Sequence, residues 1–423
     1  MFSMFIRIIL AWGGENRAKM IPDGENGMEM NGELVKQEVI TFAKGIGIDK
    51  IGFTTAEPFY SLKERLEEHQ AKGYASGFEE MDIDKRVYPK LTLPDAKSII
   101  AVALAHPSRF SNPNPSEPGA YRGIVSRAAW GRDYHQVLKE KLEKLALFIK
   151  QNVPEANCIP MVDTGVLADR AVAERAGLGW VGKNANLITP EYGSYVYLGE
   201  MITNLPFPPD SPMENGCGAC TACLTACPTQ AFVKAGQLNA KRCLAYLTQV
   251  KGFLPQEVRE KMGNRIYGCD TCQQVCPYNR KINFTHQEAF RPDPELARPL
   301  LKPLLSIGKR EFQEKWGPTA AAWRGKKPIQ RNAIIALAHF RDESAVPDLI
   351  KLLKEDGRPV IRGTSAWALG KIGGDMARKA LEEQRMCEKE EVVLEEILNA
   401  LRRLEEPVDV KGDRKPVSGT PLQ

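Results

Sequence analysis

Eight of the ten cysteines in this 423-residue chain fall between Cys217 and Cys276, and their spacing suits iron–sulfur chemistry. Cys217, Cys220, Cys223 and Cys227 follow the pattern C-x2-C-x2-C-x3-C, with Pro228 next. Bacterial two-cluster ferredoxins use this spacing: three thiolates wrap one [4Fe–4S] cubane, and the fourth, set apart by the longer gap, ligates the other. A second run, Cys269, Cys272 and Cys276 before Pro277, is one cysteine short, and Cys243 is the only other cysteine in the region. The expected partition is Cys217, Cys220, Cys223 and Cys276 around one cluster and Cys227, Cys243, Cys269 and Cys272 around the second. Cys158 and Cys387 are left over and expected to be buried thiols. Zinc also accepts CxxC pairs, but the triple run over-supplies a tetrahedral site, and a disulfide framework does not suit a chain without an export leader. Clusters that share crossing ligands pass electrons one at a time toward an acceptor.

About two hundred residues precede the cysteines, enough to hold a cofactor and a substrate. Glu33 to Gly45 has apolar positions at helical spacing, Lys50 to Thr54 reads as a strand, and Ser98 to Ala105 (SIIAVALA) reads as a strand buried on both faces. A long helix is expected from Tyr134 to Gln151. Helices mixed with buried strands up to residue 205 indicate an α/β or α+β domain, and Pro206 to Asp210 (PFPPD) reads as a turn or linker. Beyond Pro299, Ala336-Leu337, Ala368-Leu369 and Ala400-Leu401 recur at a spacing of 32, with Phe340, Ile372 and Leu404 in the same register, as are Leu349 and Leu381. That period reads as stacked helical hairpins of the HEAT type.

The expected division is an N-terminal extension at 1–30, an α/β domain at 31–205, a two-cluster ferredoxin-like domain at 206–298, HEAT-like repeats at 299–405 and a disordered tail at 406–423. The fold class is α+β overall. Met1 to Trp12 is apolar, but Arg7 interrupts it and no basic region precedes it, so export is rejected; Met28 or Met30 reads as the true start. With 43% apolar and 26% charged residues the chain is expected to be soluble, cytoplasmic and without a membrane partner, and nothing in it points beyond a monomer. A formal charge of +5 spread over 58 basic and 53 acidic residues does not itself indicate a polyanionic partner.

Several longer stretches carry a family resemblance. MVDTG (161 to 165), DRAVAERAGLGWVGKN (169 to 184), EYGSYVYLGEM (191 to 201), KGFLP (251 to 255), YGCDTCQQVCP (267 to 277) and WRGKKPIQRNA (323 to 333), joined to the cysteine pattern, resemble the epoxyqueuosine reductases. The resemblance runs from about residue 33 to 405. It implies an oxidoreductase that uses cobalamin, reduced through two [4Fe–4S] clusters by an external electron donor, to convert epoxyqueuosine to queuosine at the wobble position of tRNA. It further implies that Asp163 donates a proton to the departing oxygen, and that Arg86, Asp163, Leu198, Ala245, Cys269 and Asp270 surround the corrin. Lys251 and Gly252 are tRNA contacts by the same resemblance. Arg324, Lys326, Lys327 and Arg331 form a basic cluster beside the stacking surface of Trp323, with Arg358 and Arg362 one repeat on, and are expected to meet phosphates.

Read locally, Asp163 in Asp-Thr-Gly also suits a turn or helix cap. Asp133-Tyr134-His135 begins like the DxHxxG signature of a cobalt-ligating histidine, but Leu138 stands where glycine belongs, so no histidine ligand is expected and His135 reads as a helix residue. Two other functions compete. A reductive dehalogenase would combine the same cofactors, but has no use for a basic repeat face; an electron-transfer subunit would need the clusters and not cobalamin.

Overall fold

The computed structural model describes residues 32–109, 113–163 and 165–405, so the expectations for 1–30 and 406–423 lie outside the described residues. Among these, no helix is long and apolar enough to cross a membrane. The chain forms two compact units: 32–73, 77–105 and 135–219 make the first, and 74–76, 106–134 and 220–405 the second.

In the first unit, α1 (Gly32–Gly45), β1 (Lys50–Thr55), α2 (Tyr60–Ala71), α3 (Ile83–Val87), β2 (Ser98–Ala105), α4 (Tyr134–Asn152), β3 (Cys158–Met161), α5 (Asp169–Arg175) and β4 (Val196–Thr203) build one sheet covered by helices. The strand order is β1-β2-β4-β3 and every pairing is antiparallel, so the α+β reading is the one realised. All eight residues of β2 are buried, which its unbroken apolar run requires of a central strand. The sheet's two faces take different helices. Gly199 of β4 faces α4, where a Cβ would lie 3.2 Å from Leu142; Leu198 and Ile202, on the other face by the period of two, pack with Val172 and Ala173 of α5.

PFPPD does not run free. Asp210 accepts from Lys36 Nζ at 2.7 Å and from the Phe53 backbone N–H at 2.8 Å, which ties the stretch to α1 and β1.

The second unit holds α6 (Ala222–Ala226), α7 (Leu244–Leu247), α8 (Gln256–Met262), α9 (Thr271–Gln274) and then α10 (Leu301–Ser306), α11 (Lys309–Trp316), α12 (Lys326–Phe340), α13 (Val346–Glu355), α14 (Pro359–Ile372), α15 (Asp375–Arg385) and α16 (Glu391–Glu405). The sequence repeat maps onto α12, α14 and α16. Ala336, Leu337, Ala368, Leu369 and Ala400 are fully buried, and Phe340, Ile372 and Leu404 pack on the same core. That core also takes in Val125, Trp130, Leu244, Met262 and Ile266. The expected boundaries at 205 and 298 therefore do not coincide with the compact units: the cysteine region and repeats share one apolar interior, and 106–134 belongs with them.

Candidate active site

Asp163 follows β3 and sits in the left-handed backbone region, with φ 49°, a conformation unusual for a residue other than glycine. Its side chain and its backbone are both held. Its Oδ2 lies 3.1 Å from Nε2 of His135 at the start of α4, and its backbone N–H donates to Oδ2 of Asp169, the first residue of α5, at 3.2 Å. His135 is thus more than the helix residue expected, since it is the direct partner of the aspartate that the resemblance singles out. No spacing rule could pair positions 28 apart across a helix and a strand.

The charges around Asp163 are dense. Burial, and then the nearby Asp163 carboxylate, pushes the half-buried Asp169 up to about 6. Glu200 of β4 is 1% exposed, and burial followed by Asp169 and Asp163 raises its carboxyl well above the usual glutamate range. Arg86, half-buried, is lowered chiefly by burial and feels Glu79, Arg170 and Asp169. The Arg170 guanidinium donates to the carbonyl of Ala185. Leu198 is half-buried on the same sheet face as Glu200. Arginine donors beside an aliphatic surface suit the amide carbonyls and the apolar face of a corrinoid.

Seven of the eight clustered cysteines, Cys220 to Cys276, lie in the second unit, and Cys217 lies near the end of the first. No two of the ten cysteines are joined in a disulfide. Cys243 feels the charge of Cys269 and Cys227, and Cys272 that of Cys243, Cys269 and Cys223, so Cys243 lies near the other three expected around the second cluster, and Cys272 also neighbours Cys223 of the first set. α6 packs on α9, and Cys223 and Cys276 are buried. Four soft thiolates in a partly buried setting fit an iron–sulfur cubane. Cys387 departs from expectation: it is exposed, its Sγ resting on the carbonyls of Glu383 and Gln384.

Asp270, Ala245 and Cys269 occupy well-held positions. Asp270 accepts from Ser126 Oγ at 2.5 Å and from the backbone and Nη1 of Arg127, both at 3.0 Å. The carbonyl of Ala245 accepts from Thr248 Oγ1 and Gln249 Nε2. Gly268 has φ 71°, and a Cβ there would lie 2.3 Å from that of Ser126.

The basic residues sort into two groups. Lys251, Gly252 and Lys327 are exposed, and Trp323 is 52% exposed with the Arg324 guanidinium 4.9 Å over its ring. Gln249 organises this corner, accepting from Trp323 Nε1 at 2.7 Å and, through its carbonyl, from Arg324 Nε at 3.2 Å. Arg331 belongs elsewhere. It is 1% exposed and donates to the carbonyls of Leu247, Thr248, Val250 and Gly252, so it shapes the segment bearing Lys251 and does not face solvent. The Lys326 Nζ is bound to the Ile307 carbonyl, and Arg358 and Arg362 are paired with Asp356 and Glu388.

Arg331→Met is expected to cost about 3 kcal/mol of stability, because it strands several buried carbonyls at once. Denaturant unfolding checks this. An unchanged midpoint together with weakened RNA binding would restore Arg331 to the surface group.

Comparison with known proteins agrees with the motifs. Residues 216–279 match the 4Fe-4S double cluster binding domain, 86–164 the epoxyqueuosine reductase QueG family, and 322–402 the HEAT repeats. An epoxyqueuosine reductase of Bacillus cereus is 58% identical over 375 residues, covering 89% of this chain and 99% of its own length. A crystal structure of epoxyqueuosine reductase with an epoxyqueuosine-modified tRNA-Tyr stem loop superposes with TM-score 0.88 at 58% identity, covering 89% of this chain and 100% of that one. The Bacillus subtilis enzyme, solved with its catalytic aspartate loop swung out of the active site, gives TM-score 0.87 at 57% identity, covering 88% of this chain and 100% of its own. The chain, with its double iron–sulfur domain and helical repeats, belongs to the epoxyqueuosine reductase family of oxidoreductases.

Proposed function

We propose that this protein reduces epoxyqueuosine to queuosine in the anticodon loop of tRNA, with Asp163 as the proton donor. The observation that carries the assignment of Asp163 is its setting on the loop that follows β3: an exposed carboxyl held by His135 on a left-handed backbone whose N–H donates to Asp169. The net reaction takes up two electrons and two protons and releases the epoxide oxygen as water. Cobalamin, when bound, supplies a strongly reducing cobalt centre, and the two clusters supply its electrons singly.

The chain's own residues do the rest. By the family resemblance, Arg86, Asp163, Leu198, Ala245, Cys269 and Asp270 are the residues that would hold the corrinoid. Cys217, Cys220, Cys223 and Cys276 take one cluster, and Cys227, Cys243, Cys269 and Cys272 the other. His135 keeps the Asp163 carboxyl in place, so that the proton is presented in one geometry. Lys251, Gly252, Arg324 and Lys327 receive the stem-loop, with Trp323 as a stacking surface beside them.

Two binding experiments test this assignment. Gel filtration of the full chain with cobalamin should co-elute the corrinoid absorbance; elution without it favours a plain electron carrier. Lys251→Ala and Lys327→Ala should each weaken stem-loop binding a few-fold and reduce the slope of log K against log salt by about 1. Unchanged slopes in both would remove this face from the RNA interface.

A further inference from the structure

Glu200 stands in the middle of β4, opposite Ala101 of β2 and Met161 of β3, on the sheet face that α5 covers. It is 1% exposed, and among the described residues no donor reaches either carboxyl oxygen. An ionised carboxylate buried this way costs several kcal/mol, so the side chain belongs there as a neutral acid whose O–H must find an acceptor. The charged groups facing it are Asp169 and Asp163, the first close enough to share its proton; Ala101 and Met161, on the neighbouring strands, bring no charge. Asp169, in turn, is the residue whose Oδ2 holds the backbone N–H of Asp163 in its left-handed conformation.

We propose that Glu200 is a positioning residue for Asp163: its carboxyl donates to Asp169, and Asp169 so held fixes the loop that presents the catalytic proton. The chain of contacts runs from the rigid interior of the sheet to the strained residue at its edge. It explains why a strand otherwise apolar on this face carries an acid, since leucine would pack there without giving Asp169 a donor. The proposal rests on Asp163 being the proton donor.

The test uses the full chain, reconstituted with clusters and cobalamin, acting on an anticodon stem-loop that carries epoxyqueuosine. Glu200→Leu should lower kcat by on the order of 30-fold with little change in KM or in the cluster and corrinoid spectra. Glu200→Gln, whose amide also donates to Asp169, should recover most of that loss, which a packing role would not predict. Asp169→Ala leaves the sheet untouched and should reproduce the loss even if Glu200→Leu folds poorly. Stability gives a second readout. A raised carboxyl contributes stability present below its ordinary value of 4.5 and lost as pH rises toward its folded value, so Glu200→Gln should gain on the parent in melting temperature as pH rises above 4.5. Parental kcat in Glu200→Leu or Asp169→Ala, with Asp163→Asn inactive, overturns the positioning role and leaves the donor assignment standing. Equal impairment of Glu200→Gln and Glu200→Leu also overturns it. Full activity of Asp163→Asn overturns the donor assignment itself.

Discussion

Asp163→Asn is expected to lower turnover by about a thousandfold, the share that a general acid commonly supplies, while both clusters and bound cobalamin remain. The substitution is unusually clean. Asparagine tolerates the left-handed φ of 49° and can still hydrogen-bond His135 and leave the backbone N–H on Asp169, so the loop keeps its shape and loses only the transferable proton. Single-turnover conversion of the stem-loop nucleoside, followed by mass spectrometry beside the visible spectrum, separates chemistry from binding. A parental rate would mean that another group protonates the departing oxygen.

Cys243→Ala should remove one cluster and with it the reaction. Iron content should fall from about eight atoms per chain to about four, and turnover driven through the clusters should become undetectable. Cys243 lies among Cys227, Cys269 and Cys272 and outside both cysteine runs, which is why it decides the partition. Iron analysis and low-temperature electron paramagnetic resonance check the result. Loss of both clusters, or retention of both, would break the proposed ligand sets.

What the sequence reveals and what it hides follow from the range of the interactions. Seven of the cluster cysteines stand two or three residues apart in two runs, so that part of the pattern is local and legible. The burial of β2 is written in eight consecutive apolar or small residues, and the helical repeat in the recurrence of Ala-Leu pairs that the core then buries. By contrast, the His135–Asp163 contact and the line from Glu200 through Asp169 depend on strand order β1-β2-β4-β3 and on which face α5 covers, neither of which a single strand records. Arg331 shows the limit of reading charge. Its neighbours in KKPIQR suggest a phosphate-binding cluster, but α12 is buried from Pro328 to Ala338, so a long basic side chain on it turns inward to the carbonyls of a neighbouring segment. The domain boundaries were hidden for the same reason: a change in composition at 298 does not interrupt the apolar core that runs across it.

Cobalamin-dependent removal of oxygen from a tRNA nucleoside can be seen in an anaerobic reaction of the reconstituted protein with a strong reductant and an anticodon stem-loop carrying epoxyqueuosine, run with and without cobalamin. Mass spectrometry of the released nucleoside should show the loss of one oxygen atom only when cobalamin is present. An unchanged nucleoside from protein with intact clusters and bound cobalamin would contradict the account.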